Sequence, residues 1–335
     1  MSKLLEVENL KMHFPVKGGV LMRQRGLVKA VDGVSFFIRP GETLGLVGES
    51  GCGKSTLGKA IVRLYDPSAG KVVFDGQDIT KLGQGSLRPL RQGFQMMFQD
   101  PAESLNSRFS VAQVIREPLD IQKLGSVADR DAKVRELVEA VGLPASSVDK
   151  YPSELSGGQR QRVGVARAIA LNPRLIVLDE PVSALDVSVQ SQVLNLLVEL
   201  QEKLDLAYLF IAHDLAVVKH ISDRVAVMYL GKIVEVASSE EIYKNPKHAY
   251  TKALLSAIPQ TDPERQGQRI KLEGEVPSPI DPPAGSAFGH RIKHPRYEET
   301  IGMDLALVEI APDHWVAADP CCLSEEDWEK AQELM

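Results

Sequence analysis

Thr43-Leu44-Gly45-Leu46-Val47-Gly48-Glu49-Ser50-Gly51-Cys52-Gly53-Lys54-Ser55-Thr56 decides the fold. Thr43 to Val47 is a short apolar run of strand character, and Lys54 onward carries a helical pattern through Leu64. The loop between them matches GxxxxGK[ST] in full, in the strand-to-helix setting that makes the pattern meaningful. Its glycines let successive backbone N–H groups turn inward around phosphate oxygens. The following helix aims its positive end at the same place. Lys54 can reach the β and γ phosphates, and the Ser55 hydroxyl can ligate Mg²⁺. Cys52 falls at a free position of the pattern and needs no chemistry of its own.

Working outward, Leu175-Ile176-Val177-Leu178-Asp179-Glu180 is a buried strand ending in two carboxylates. Asp179 is placed to hold Mg²⁺ opposite Ser55. Glu180, one residue further, can polarise an attacking water. Pro181 then ends the strand. Leu155-Ser156-Gly157-Gly158-Gln159 is a second phosphate-type cradle at a helix start. One nucleotide needs only one cradle, so the second suits a nucleotide held elsewhere.

The remaining segments predict an α/β chain. Residues 5–16 and 29–39 alternate as strands, Lys71 to Phe74 is another, and residues 111–142 are helical with Pro118 interrupting. Helices are expected over 159–171 and 188–204, and a buried strand over Tyr208–Ile211. A hairpin is expected around Leu230-Gly231. Prolines 259, 263, 277, 279, 282 and 283 mark an extended connection into a small C-terminal appendage.

The 335 residues carry 39 Lys+Arg against 45 Asp+Glu, a formal charge of −6, which argues against nonspecific nucleic-acid binding. No apolar run reaches the roughly 18 residues of a membrane-spanning helix, and the start lacks a signal peptide's apolar segment. Three cysteines are too few for a disulfide framework and read as reduced thiols.

The combination GESGCGKST, LSGGQRQRV, LIVLDEPVSALD and FIAHDL strongly resembles the ATP-binding-cassette family over roughly residues 5–260. The resemblance implies a P-loop NTPase cassette with a parallel core sheet, an antiparallel β subdomain, a helical subdomain over about residues 100–170, and the appendage over 261–335. It implies a head-to-tail dimer with two ATPs between subunits. ATP would contact Gly48, Glu49, Ser50, Gly51, Cys52, Gly53, Lys54, Ser55 and Thr56 of one subunit, and Ser156, Gly157, Gly158 and Gln159 of the other. By the same resemblance Gln99 senses Mg²⁺ and the attacking water, and the stretch to Arg108 meets a membrane subunit. Asp186 belongs to the loop joining the two sites, and His213 orients Glu180 and the γ-phosphate. Phe14 is a candidate for stacking on adenine, or else a core residue.

Residues 29–34, Ser104-Leu105-Asn106, 213–218, 245–251 and 274–279 resemble the ATPases of peptide and nickel importers, in particular the second, F-type subunit. That implies a second ATPase subunit, two permease subunits and an external solute-binding protein, at the cytoplasmic face of the cell membrane. Peptides are the expected cargo, with nickel, an oligosaccharide or a glycoside as the alternative. A ribosome- or DNA-acting cassette and an exporter cassette are the rival readings. Many members of this group hold an iron–sulfur cluster on four tail cysteines. Here Ser286, Ile292 and Ala318 stand at cysteine positions, and the adjacent Cys321 and Cys322 remain, so no cluster is expected. A zinc on His290, His294 and Cys321 is the remote alternative.

Overall fold

The computed structural model describes residues 3–18, 23–99, 104–183, 185–258, 270, 272, 274–303 and 305–334. The boundary expected near residue 260, and Asp100, Pro101 and Ala184 of the motifs, lie outside them. In chain order the strands are β1 (Leu5–Gly18), β2 (Arg23–Ile38), β3 (Thr43–Val47), β4 (Ala69–Phe74), β5 (Gln77–Asp78), β6 (Phe94–Met97), β7 (Leu175–Asp179), β8 (Ala207–Ile211), β9 (Arg224–Tyr229), β10 (Lys232–Ser238), β11 (Leu307–Ala311) and β12 (His314–Ala317). The helices are α1 (Lys54–Ile61), α2 (Gln84–Leu90), α3 (Val111–Gln122), α4 (Val127–Ala140), α5 (Gly157–Ile169), α6 (Val187–Leu204), α7 (Leu215–Ile221), α8 (Ser239–Lys244), α9 (Ala249–Ser256), α10 (Ala287–Arg291) and α11 (Glu325–Leu334).

The chain forms two compact units, each assembled from distant segments. The first comprises Met1–Leu4, Ile38–Thr43 and Lys81–Ile211. Its strands β6, β7 and β8 run parallel, with Phe94 opposite Leu175 and Leu175 opposite Ala207. Every residue of β7 and β8 is buried, which explains their unbroken apolar runs. Helices α3, α4 and α5 each start with a reciprocal capping box, from Ser110 and Gln113, Ser126 and Asp129, and Ser156 and Gln159. The helical region does not break at Pro118, which lies inside α3. It breaks where Lys123 turns left-handed at φ 55° and a new cap begins at Ser126. Burial of Val111, Val114, Ile115 and Leu119 on one face holds α3 together through the proline.

The second unit comprises Leu5–Phe37, Leu44–Thr80 and Ala212–Met335. One of its sheets has the order β2-β1-β4-β5, with β1 antiparallel to β4. In the other, β3 runs parallel to β9, β9 folds back on β10 around Leu230-Gly231, and β10 pairs antiparallel with β12. The C-terminal hairpin β11–β12 therefore continues a sheet that begins beside the phosphate loop. Val308, Ile310, Val316, Ala318, Trp328 and Ala331 form its small core. Phe288 is buried, and Trp315 is half-buried with its ring edge-on to Phe37. Helix α1 stops at Ile61, short of Leu64, because Arg63 takes φ 55° and sends its Nε to the Ile79 carbonyl at 3.0 Å.

The buried Glu235 knits this unit. Its carboxylate accepts from His314 Nε2 at 2.8 Å and from the amides of Lys247 and His248 at 2.7 and 3.0 Å. Burial alone would push its pKa up. The hydrogen bonds from His314 and the two amides outweigh that and hold it below the ordinary value.

Candidate ATP site and its two half-sites

The phosphate loop follows directly from strand geometry. β3 is buried throughout, so the chain must leave the sheet abruptly at Val47. Gly48 to Gly53 make that turn, and α1 begins at Lys54. Glycine is obligatory at two points. A Cβ on Gly53, at φ 107°, would lie 1.9 Å from the Ala30 carbonyl oxygen, and one on Gly48 would lie 2.1 Å from that of Met228. Helix α1 has no side-chain cap at its start, so its first-turn amides are not used by a capping side chain.

Lys54 is 4% exposed, and its Nζ donates to the carbonyls of Gly48 and Glu49 at 2.8 and 3.0 Å. Those bonds hold the ammonium inside the loop. Cys52 is buried, and burial, only partly offset by Lys54, pushes its thiol above the ordinary value. Its Sγ lies 2.9 Å from where a Gly48 Cβ would sit, so it fills space within the loop. Ser55 and Thr56 follow in the first turn, half-buried. Phe14 on β1 is half-buried, with its ring edge-on to Tyr65 at 5.7 Å. His213, in the same unit, is exposed just before Asp214, which caps α7 by accepting from the Ala216 amide at 2.7 Å.

The first unit carries the carboxylates and the signature segment. Asp179 ends β7 and is buried. Glu180 takes φ 47°, a conformation uncommon for L side chains, with its amide on the Ile211 carbonyl at 2.9 Å. Gln99, just past β6, donates from Nε2 to Glu180 Oε2 at 3.0 Å. The structure thus joins two residues 81 positions apart, Glu180, read from its place at a strand end, and Gln99, whose role the family resemblance implies. Ser156 accepts from the Gln159 amide at 3.3 Å, while the Gln159 side chain accepts from the Ser156 amide at 3.0 Å. Ser156 is exposed, with Gly157, Gly158 and Gln159 half-buried behind it. Asp186 is exposed at the N-cap of α6 without a side-chain cap bond.

Three residues escaped sequence reasoning, two in the first unit and one in the second. Gln161, buried on α5, donates to the Pro181 carbonyl and so ties the signature helix to the turn after Glu180. Gln190 donates to the carbonyls of Val182 and Leu185 at 3.0 and 2.9 Å and braces the loop before Asp186. Tyr250 accepts the Glu49 amide at 2.9 Å from 201 residues away. Gln161 sits inside LSGGQRQRV, and its glutamine is the only hint the sequence offers.

The tail residues do not fit a four-thiolate cluster. Ser286 caps α10, accepting from the Gly289 amide at 2.8 Å, and donates to Asp319 Oδ2 at 2.5 Å. Ala318 belongs to the apolar core. Burial, then the Asp319 carboxylate, push the Cys321 thiol up to about 11 and the Cys322 thiol well above its usual value. Among the described residues, the metal-type side chains that gather here are His248, Asp319 and Cys322, not His290, His294 and Cys321. Their ligand atoms already have protein partners. Cys322 Sγ lies 3.2 Å from Asp319 Oδ2, and His248 Nδ1 accepts the Tyr250 amide at 3.1 Å. A metal-held imidazole turns its second nitrogen to an acceptor, whereas this one faces a donor.

Comparison with known proteins agrees with this architecture. Residues 31–183 match the ABC transporter family, and residues 234–295 match the oligopeptide/dipeptide transporter C-terminal region. The oligopeptide transport ATP-binding protein AppF of Bacillus subtilis is 52% identical over 321 residues, spanning 94% of this chain and 96% of that one. The probable peptide ABC transporter ATP-binding protein y4tS of Sinorhizobium fredii is 49% identical over 309 residues, 92% of this chain and 86% of that one. The dimeric post-hydrolysis state of the ATP-binding cassette MJ0796 bound to ADP and Pi superposes with a TM-score of 0.63 at 27% identity, covering 70% of this chain and 98% of that one. The chain belongs to the ATP-binding-cassette transporter family, as an ATP-hydrolysing subunit with the P-loop cassette fold. Among the described residues, no helix is long and apolar enough to cross a membrane.

Proposed function

We propose that this ATPase energises import of peptides through a membrane transporter. The observation that supports it is the near full-length similarity to proteins named as oligopeptide or peptide transport ATP-binding subunits, extending into the C-terminal region. The proposed assembly has a second ATPase subunit, two permeases and an external solute-binding protein, with this chain at the cytoplasmic face. The appendage, roughly residues 261–335, carries no iron–sulfur cluster in this reading.

ATP is bound by residues 48–56, with Phe14 against the adenine. Water is held beside the Gln99–Glu180 pair, where Glu180 accepts its proton as the water oxygen attacks the γ-phosphorus in line and the opposite bond to the bridging oxygen breaks, releasing ADP. The Gln99 amide fixes the carboxylate's direction. His213 donates to the γ-phosphate. Ser156 to Gln159 of the neighbouring subunit complete the phosphate's surroundings, and Asp186 lies in the loop that joins the two sites. The oxygens of Ser55, Gln99 and Asp179 are hard donors suited to Mg²⁺, which supplies charge neutralisation on the phosphates. Closure around ATP and reopening after hydrolysis drive transport, because both half-sites lie on the moving interface.

ATP-dependent uptake of labelled peptides into vesicles holding the assembled transporter tests the cargo. Saturable peptide uptake is expected. Uptake of nickel, an oligosaccharide or a glycoside in its place would refute the peptide reading and leave the ATPase role standing.

A further inference from the structure

The C-terminal extension reaches back to the phosphate loop. Arg291, the last residue of α10, donates from Nη1 to Glu49 Oε2 at 2.7 Å and from Nη2 to Oε1 at 3.3 Å. The pair is well shielded, with the Arg291 side chain 7% and the Glu49 side chain 29% exposed. Arg291 Nε also donates to the Gly274 carbonyl at 3.3 Å. Glu49 is therefore gripped three ways: Arg291 holds its carboxylate, Tyr250 its amide and Lys54 its carbonyl. Tyr250 packs in a three-ring cluster with Tyr229 and Phe288, at ring distances of 4.6 and 5.4 Å. The extension touches the far side of the loop's surroundings as well. Pro279 accepts the Lys29 amide at 3.0 Å and Ile280 bridges to Val28, next to the Ala30 carbonyl that closes over Gly53.

Glu49 places a carboxylate in a loop whose purpose is to hold a polyanion. Left uncompensated, it would repel the phosphates. A bidentate guanidinium cancels that charge and fixes the side chain's direction. We propose that Arg291 is a positioning residue for ATP, which neutralises Glu49 and, with Tyr250, shapes the phosphate loop from the C-terminal extension. This rests on the reading of residues 48–56 as the ATP loop. It gives the extension a part in nucleotide binding, beyond any part in assembly.

The test measures Mg-ATP affinity of the full-length chain by displacement of a fluorescent ATP analogue, and kcat and KM of the assembled transporter, for R291M, R291K, E49Q and E49Q/R291M. R291M is expected to raise Kd and KM about fivefold or more with kcat within about twofold, as for residues coupled in one charge network. R291K is expected to lie between R291M and the unsubstituted chain. E49Q/R291M is expected to bind Mg-ATP about threefold or more tighter than R291M, because the repelling carboxylate has gone with its partner. A purely structural cross-link does not give that rescue. Unchanged affinity in R291M, or an E49Q/R291M chain that binds no tighter than R291M, would overturn the proposal. If R291M fails to melt cooperatively, R291K is judged by the same criteria. Failure of the unsubstituted chain to bind Mg-ATP would sink the ATP-loop reading and the proposal with it.

Discussion

Glu180 stands where the chain changes direction, held by its own amide on Ile211 and by Gln99 on its carboxylate. In its proposed role as the base, the amide of E180Q would keep the shape and lose the proton acceptor. That variant is expected to bind Mg-ATP normally and to release phosphate about 10²–10⁴-fold more slowly in the assembled transporter. Near-normal phosphate release would remove Glu180 from the role. Gly158 illustrates a residue read for one purpose that also serves another. The motif suggests a glycine for phosphate approach, yet an added Cβ would also lie 2.5 Å from Val189 Cγ1 on α6. G158A is therefore expected to cost about 1–3 kcal/mol of stability through overpacking, measured by chemical denaturation of the isolated chain. An unchanged midpoint would show that the helices yield at no cost.

At the scale of elements, the sequence was legible wherever local pattern and burial agree. β3, the phosphate loop and α1 came from one contiguous stretch, and β7 and the Leu230-Gly231 hairpin from equally local signals. The split between α3 and α4 was missed because Pro118 is the louder local signal. The true break depends on a left-handed Lys123 and a serine cap, neither of which changes the apolar period. The candidate site was legible as a set of residues but not as a set of contacts. Gln99 with Glu180, Gln161 with Pro181, and Arg291 with Glu49 join positions 20 to 242 residues apart. No periodicity encodes such pairs, since tertiary packing alone brings them together.

At the scale of the whole molecule, the C-terminal extension is knitted into the loop-bearing unit through buried polar groups, which makes the fold acid-sensitive. Burial holds the His248 imidazole below its ordinary pKa, against the pull of Asp319 and Glu235, so the folded chain keeps it neutral. Unfolding lets it take up a proton, so its contribution is present above about pH 6.5 and declines as pH falls below that value. Glu235, also held low, contributes above its unfolded value and loses that contribution as pH falls through its folded one. Both groups act in the same direction. The melting temperature is expected to hold between pH 8 and 7 and to fall by about 2–4 °C between pH 7 and 5. A flat profile across that range, where Glu235 stays ionised and only His248 acts, would show that His248 is not linked to folding.

The central claim is that ATP held by one subunit is completed by the signature segment of the other. The most direct measurement is the structure of the assembled transporter carrying E180Q and loaded with Mg-ATP. The expected result is the Ser156 hydroxyl within about 3 Å of the γ-phosphate bound on the neighbouring ATPase subunit's phosphate loop. Ser156 lying far from every γ-phosphate in that trapped state would contradict the account.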